Sequence, residues 1–167
     1  MRWPLLFGLQ GSSLDLLDRA DYIYDFHRHF KSGGDAVFTA FFDNALIAGV
    51  SGLQGFTWHT PAGRFDNAVV DESFVYMSLR MRTVSYVPSA RLAMSIDRCS
   101  LPLGRQMLQV MEATPDRDGG CLFRWRIAVR YLPGMSAAAP AVTPLFRRMF
   151  EEMLAAVERR LPPAPLR

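Results

Sequence analysis

The segment from Cys121 to Tyr131 constrains the fold more than any other part of the chain. Apolar residues occupy alternate positions, namely Phe123, Trp125, Ile127, Val129 and Tyr131. Arginines occupy three of the positions between them, namely Arg124, Arg126 and Arg130. Because successive side chains of a β-strand point to opposite faces, this spacing predicts a strand with one face in the core and one in water. The arginines then form the solvated face of an antiparallel sheet.

The C-terminal segment has the spacing of a long helix instead. Thr143 and Pro144 resemble a helix start, because a hydroxyl residue caps the helix and proline fits its first position. The apolar residues that follow form one stripe: Phe146, Met149, Phe150, Met153, Val157 and Leu161. We predict a helix of about 18 residues that ends before Pro162 and packs its stripe on the apolar face of the sheet.

The rest of the chain supplies further strands and two short helices, bounded by glycine and proline. Strands are predicted at 22–31, 55–59, 64–70, 74–87, 91–97 and 106–113, and short helices at 35–42 and 44–50. Asp71 and Glu72 are expected in solvent at a strand end. The order of elements predicts a single α+β domain. We divide the chain into a lead-in at 1–20, one domain at 21–162 and a tail at 163–167.

Composition and charge narrow the class of protein. The 167 residues are 50% hydrophobic and 21% charged, which is typical of a globular domain. The net charge is +3, but the arginines are dispersed along the chain, so nucleic-acid binding is not predicted. No stretch approaches the roughly 18 apolar residues of a membrane span. Pro4 and Gly8 break up the apolar N-terminal residues before they reach the length of a signal-peptide core, so a signal peptide is not predicted. We expect a cytoplasmic protein.

Known catalytic and metal motifs are absent from the sequence. His27 and His29 alternate on the polar side of the first predicted strand, but a metal site needs a third ligand. We therefore interpret them as surface histidines and predict neither a metal nor a cofactor. Cys99 and Cys121 are expected to be buried thiols, with a structural disulfide as the open alternative.

Several local patterns together resemble the START-like, or SRPBCC, superfamily, which includes bacterial polyketide cyclases and aromatases. The patterns are the glycine-led stretch 34–38 after the first strand together with Asp43, the proline turn at 87–93, the hairpin and strand at 116–131, and Thr143, Pro144 and Leu145 at the last helix. The resemblance covers residues 22–161. The chain departs from commoner members in its N-terminal lead-in and in the segment 47–55, which is poor in the Trp-Pro motif often seen after the first helix.

The resemblance implies a helix-grip fold, in which a curved antiparallel β-sheet wraps around a long C-terminal α-helix. It also implies a cavity between sheet and helix that holds a small hydrophobic ligand. The implied ligand-binding residues are Trp58, Met77, Met81, Ser85, Met94, Met107, Phe123, Trp125, Phe146, Met149, Phe150 and Met153. Candidate catalytic groups are Tyr131, His59 and Gln109. For each of these residues the alternative is an ordinary role in the core, and methionines in particular fill cores as readily as they line ligand sites.

Three functions remain open at this point. The resemblance favours an enzyme of the cyclase, aromatase or dehydratase type that acts on polyketide-like intermediates. A non-catalytic protein that binds or transfers a lipid or quinone is the alternative. A third hypothesis is a protein that docks a partner on the arginine-bearing sheet face. A homodimer is compatible with each of them.

Overall fold

The computed structural model describes residues 6–61 and 65–161. Within these ranges the chain forms one antiparallel sheet, three α-helices and two 3-10 helices. The strands are β1 Phe7–Gly8, β2 Tyr22–Phe30, β3 Leu53–Trp58, β4 Val69–Phe74, β5 Ser78–Val87, β6 Arg91–Cys99, β7 Gly104–Pro115 and β8 Cys121–Tyr131. The α-helices are α1 Leu16–Arg19, α2 Gly34–Phe41 and α3 Ala139–Arg160, and the 3-10 helices are Asn44–Gly49 and Met135–Ala138.

The sheet has the strand order β2-β8-β7-β6-β5-β4-β3, with β1 paired to β6. It curls into a half-barrel whose concave face holds the main core, and α3 packs against that face. Phe26 of β2, Trp125 of β8 and Phe150 of α3 meet there, with ring centroids 4.8–5.8 Å apart. The predicted helix-grip fold is therefore confirmed, and its apolar interior lies between the sheet and α3.

The alternation in β8 is confirmed. Phe123, Trp125 and Ile127 are buried on the concave side. On the convex side, Arg124 donates to Asp25 at 2.6 Å and Arg126 donates to Glu112 at 2.7 Å. The arginine face of this strand is thus the ion-paired outer face of the sheet.

The last helix begins five residues before Pro144, its predicted first residue. Its first residue is Ala139, and Pro144 lies inside the helix. The Thr143 hydroxyl does not cap a terminus but donates to the Ala139 carbonyl at 2.8 Å. Proline cannot donate a backbone hydrogen bond, so one carbonyl of the first turn loses its partner, which a helix tolerates best near its N-terminus.

Two predicted strands were misplaced. The strand predicted at 64–70 begins only at Val69 and continues to Phe74 as β4. The strand predicted at 74–87 is interrupted by a turn, so that β4 ends at Phe74 and β5 begins at Ser78. The turn residues are Val75, Tyr76 and Met77, which carry no glycine or proline signal. In the hairpin predicted around Pro61, residues 62–64 lie outside the described residues, as does the tail at 163–167.

The lead-in adopts structure on the convex side of the sheet. Strand β1 pairs with the end of β6, and the Gln10 backbone then donates to the Arg105 carbonyl at 2.9 Å. Helix α1 follows and covers a second, smaller apolar cluster whose fully buried members are Leu16, Ala93, Leu108, Val110 and Ala128. The outer face is therefore not polar throughout, because small and branched residues lie under α1.

Candidate ligand-binding cavity

A cavity of about 50 Å³ lies between the concave face of the sheet and the first turns of α3. Six aromatic side chains line it: Tyr24, Phe74, Trp125, Tyr131, Phe146 and Phe150. Aliphatic and methionine side chains complete the apolar wall: Met77, Leu79, Ile96, Leu103, Met107, Ile127, Val129 and Val142. The remaining two lining residues are Glu72 and Gln109. The space holds a few waters, so a larger ligand requires flexible side chains such as Met77 and Met107 to move.

Glu72 is the carboxylic acid of this cavity. It lies on β4 between Val70 and Phe74, which are both buried, and its side chain is 6% exposed. Among the described residues, no hydrogen bond or ion pair reaches its carboxyl group. Burial raises the pKa of Glu72 to about 8, because the apolar surroundings disfavour the charged form. At neutral pH most molecules therefore carry a neutral acid at this position.

Gln109 presents its amide to the cavity in a fixed orientation. Its Nε2 donates to the Met81 Sδ at 3.0 Å and to the Met94 Sδ at 3.6 Å. Its carbonyl oxygen has no partner among the described residues. A buried carbonyl without a partner is an acceptor for a donor group on a bound molecule.

A group of hydroxyls marks the end of the cavity near the start of α3. The Tyr24 hydroxyl lies 3.3 Å from the Thr143 Oγ1. Burial, together with the neighbouring Tyr24 hydroxyl, raises the pKa of Tyr131, which keeps its phenol protonated at physiological pH. The cavity thus has a carboxyl group on β4 and phenol hydroxyl groups on β2 and β8.

The structure divides the predicted ligand-binding residues into two groups. Those that line the cavity are Met77, Met107, Trp125, Phe146 and Phe150. Those that do not line it are Trp58, Met81, Ser85, Met94, Phe123, Met149 and Met153. Most of the second group is core: Met81, Met94 and Phe123 are fully buried behind the lining residues.

Ser85 and Trp58 lie elsewhere for identifiable reasons. A β-bulge between Thr83 and Ser85 shifts the alternation, so Ser85 pairs with Ala93, a member of the convex cluster. Trp58 packs against Phe42 and Phe65 at the far edge of the sheet.

The candidate catalytic residues are likewise divided. Tyr131 and Gln109 line the cavity. His59 does not, because its Nε2 lies 2.6 Å from the Asp71 Oδ2 on the convex face. The expectation that Asp71 and Glu72 are both in solvent was wrong, since both are buried. The signal for Glu72 was available in the alternation, because Val70, Glu72 and Phe74 share one parity.

Other reactive groups stand apart from the cavity. Cys99 and Cys121 are free and buried, and burial raises the pKa of Cys121 to about 11, so its thiol stays protonated. Within residues 6–61 and 65–161, no three metal-ligating side chains converge. Over the same ranges, no helix has the length and apolarity needed to cross a bilayer.

Comparison with known proteins supports the fold. No protein-family model and no curated protein sequence matches the chain. Among solved structures, ginseng major latex-like protein 151 from Panax ginseng matches with a TM-score of 0.66 and 16% identity, over 84% of this chain and 98% of that one. Norcoclaurine synthase from Thalictrum flavum matches with a TM-score of 0.62 and 12% identity, over 83% and 91%. A conserved protein from Geobacillus kaustophilus matches with a TM-score of 0.61 and 10% identity, over 83% and 93%.

These likenesses define the class of fold. The TM-scores of 0.61–0.66 show a shared fold, whereas sequence identities of 10–16% do not show a shared activity. The chain has a helix-grip fold, as the sequence resemblance predicted.

Proposed function

We propose that this protein binds a small hydrophobic or aromatic molecule in the cavity and transfers a proton at it through Glu72. The observation that carries the proposal is the isolation of the Glu72 carboxyl in a wall that is apolar apart from Gln109 and the tyrosine hydroxyls. A group that faces a ligand site, lacks a partner and has a pKa near the working pH is suited to general acid–base catalysis.

The proton transfer that fits best is enolisation of a carbonyl compound. The ionised Glu72 accepts a proton from the carbon next to the carbonyl, and the electron pair of the broken C–H bond forms the enolate. Return of the proton from Glu72 to the carbon restores the carbonyl compound and the ionised carboxylate. The same step begins cyclisation, aromatisation and dehydration of polyketide-like chains, so we place the activity in that group of reactions.

Gln109 and the tyrosine hydroxyls are positioned to orient the ligand in this proposal. The Gln109 carbonyl oxygen accepts from a ligand hydroxyl, and the neutral Tyr131 phenol donates to a ligand oxygen. The aromatic rings supply flat surfaces against which a planar ligand stacks. Positioning of this kind contributes to rate by holding the ligand in one reactive geometry.

A proton-exchange assay tests the proposal without knowledge of the natural substrate. We would incubate the protein with 2-tetralone, an enolisable bicyclic ketone, in D₂O and follow loss of the α-proton signal by NMR. We expect Glu72→Gln to lower the protein-catalysed exchange rate by about 100-fold or more, as loss of a general base does. Glu151→Gln, on the exposed face of α3, is the matched control and should retain the rate.

The same assay distinguishes between the two hypotheses, an enzyme and a non-catalytic carrier protein. Binding of 2-tetralone by the wild-type protein without accelerated exchange would reject catalysis and favour the alternative, a protein that binds a lipid or quinone without chemistry. Equal exchange rates for the wild-type protein and Glu72→Gln would reject the role of Glu72.

A further inference from the structure

Three segments at one end of the sheet carry no charged residue. They are residues 75–77, residues 100–104 and residues 132–145, and together we call them the uncharged rim. By contrast, 21% of the whole chain is charged. The absence of charge in three separate segments therefore points to a shared environment.

The three segments come together in the fold. The Ser100 backbone donates to the Ser78 carbonyl at 2.9 Å, which places the start of β5 beside the end of β6. Gly104 at the start of β7 pairs with Tyr131 at the end of β8. The Tyr76 hydroxyl donates to the Met149 Sδ at 2.9 Å, which joins the first segment to α3.

The uncharged rim adjoins the cavity and exposes apolar side chains. Met77, Leu103 and Val142 belong to the rim and also line the cavity. Val75 is 70% exposed and Leu145 is 53% exposed, which are the two highest values among the large apolar side chains exposed in the described chain. Apolar exposure of this kind at the edge of a ligand cavity indicates a surface that contacts another apolar phase.

Arginines flank two of the three segments in the sequence: Arg98 and Arg105 on either side of 100–104, and Arg130, Arg147 and Arg148 around 132–145. One acidic residue, Asp21, also lies at this end, where its Oδ2 accepts from the Tyr131 backbone at 2.8 Å, so the border has more basic than acidic groups. Arg148 pairs with Glu152, whereas the other four form no ion pair with any described residue. An apolar tip with a basic collar is the arrangement that binds the surface of an anionic bilayer, because the tip enters the acyl boundary and the collar meets the headgroups.

We propose that the uncharged rim docks on the surface of a lipid bilayer with anionic headgroups and places the cavity against the membrane. A hydrophobic ligand then passes between bilayer and cavity with less exposure to water. The docking surface does not involve Glu72, so this proposal stands independently of the proton transfer.

Vesicle sedimentation tests the docking with the full chain. The probes are vesicles of phosphatidylcholine alone and vesicles with about a third phosphatidylglycerol. We expect the wild-type protein to bind the anionic vesicles and to be released as salt is raised. The double variant Val75→Asp, Leu145→Asp should lose at least about tenfold in vesicle affinity.

The matched control changes two exposed apolar residues at the opposite end of the sheet. Val87 and Leu122 are 41% and 49% exposed, and both line a hollow near the β5–β6 turn. Val87→Asp, Leu122→Asp should retain wild-type vesicle binding, and both double variants should melt cooperatively.

Equal losses of vesicle affinity in the two double variants, or equal binding of the wild-type protein to both kinds of vesicle, would overturn the proposal. Absence of vesicle binding together with self-association that Val75→Asp, Leu145→Asp abolishes would overturn it in favour of a second copy of the chain.

Discussion

Asp71 and Glu72 are adjacent in β4, are both buried, and have opposite electrostatic surroundings. Arg80 donates to the two carboxylate oxygens of Asp71 at 2.7 and 2.9 Å on the convex face. Burial alone would raise the pKa of Asp71, but the hydrogen bonds from Arg80 and His59 outweigh it and hold the pKa below the usual 3.8. Glu72 faces the cavity with no such partner, and its pKa rises. One residue step along a strand thus separates a structural carboxylate from a candidate catalytic acid.

Replacement of Glu72 should make the protein more stable at alkaline pH relative to wild type. Between pH 4.5 and 8, the unfolded chain ionises Glu72 while the folded chain keeps it neutral, so wild-type stability falls as pH rises. The raised pKa corresponds to a loss on the order of 5 kcal/mol across that range. Glu72→Gln removes this loss. Urea unfolding at several pH values measures the free energy of unfolding of the wild-type protein and of Glu72→Gln. A difference between the two free energies that stays constant with pH would contradict the raised pKa.

Replacement of Asp71 should lower the stability of the protein, whereas replacement of Glu72 should raise it. The lowered pKa of Asp71 contributes stability above its ordinary pKa, and that contribution is lost as pH falls through the folded value. Asp71→Asn leaves Arg80 without its carboxylate, and we expect a loss of about 2 kcal/mol at pH 7, less than for a fully buried pair because Arg80 is partly exposed. Asp97→Asn, which breaks the more exposed pair with Arg82, should cost under about 1 kcal/mol. Denaturant unfolding at pH 7 compares the two variants, and equal losses would show that the burial of Asp71 has no energetic effect.

The size of the cavity limits the ligand, and Met107 is the residue to change. Met107→Ala should enlarge the cavity and strengthen binding of anthrone, a tricyclic ketone, by roughly tenfold. Met111→Ala removes the same side chain from the same strand at a fully buried position outside the lining. Both variants should lose about 2–5 kcal/mol of stability, but Met111→Ala should leave the affinity for anthrone unchanged. Calorimetric titration measures both affinities, and a gain in both variants would place the ligand elsewhere.

The sequence predicted the main features of the fold because its strongest patterns are local. The alternation in 121–131 and the apolar stripe after Thr143 each require only neighbouring residues to be interpreted. The start of α3 was missed because residues 139–142 are alanine, proline and valine, which resemble a connector until Val142 is seen to face the cavity. The turn at 75–77 was missed because apolar residues occupy it.

The site was predicted less completely because it depends on long-range placement. Several methionines were expected at the ligand, but whether one lines the cavity or lies behind it depends on the curl of the sheet. The bulge before Ser85 reverses its face, and nothing in the local sequence marks that bulge. Glu72 was assigned to solvent because a charged residue at a presumed strand end is usually exposed, whereas the strand continues to Phe74 and buries it.

The most direct test of the proposed site is a ¹³C NMR titration of the Glu72 side-chain carboxyl, assigned by comparison with Glu72→Gln. Protein labelled at the glutamate carboxyl carbon would be titrated from pH 4 to pH 10, alone and with saturating 2-tetralone. We predict a midpoint near 8 for the free protein, and a shift of that midpoint when the ketone occupies the cavity. A midpoint near the ordinary value of 4.5, unchanged by the ketone, would contradict both the isolation of Glu72 and its place at the ligand.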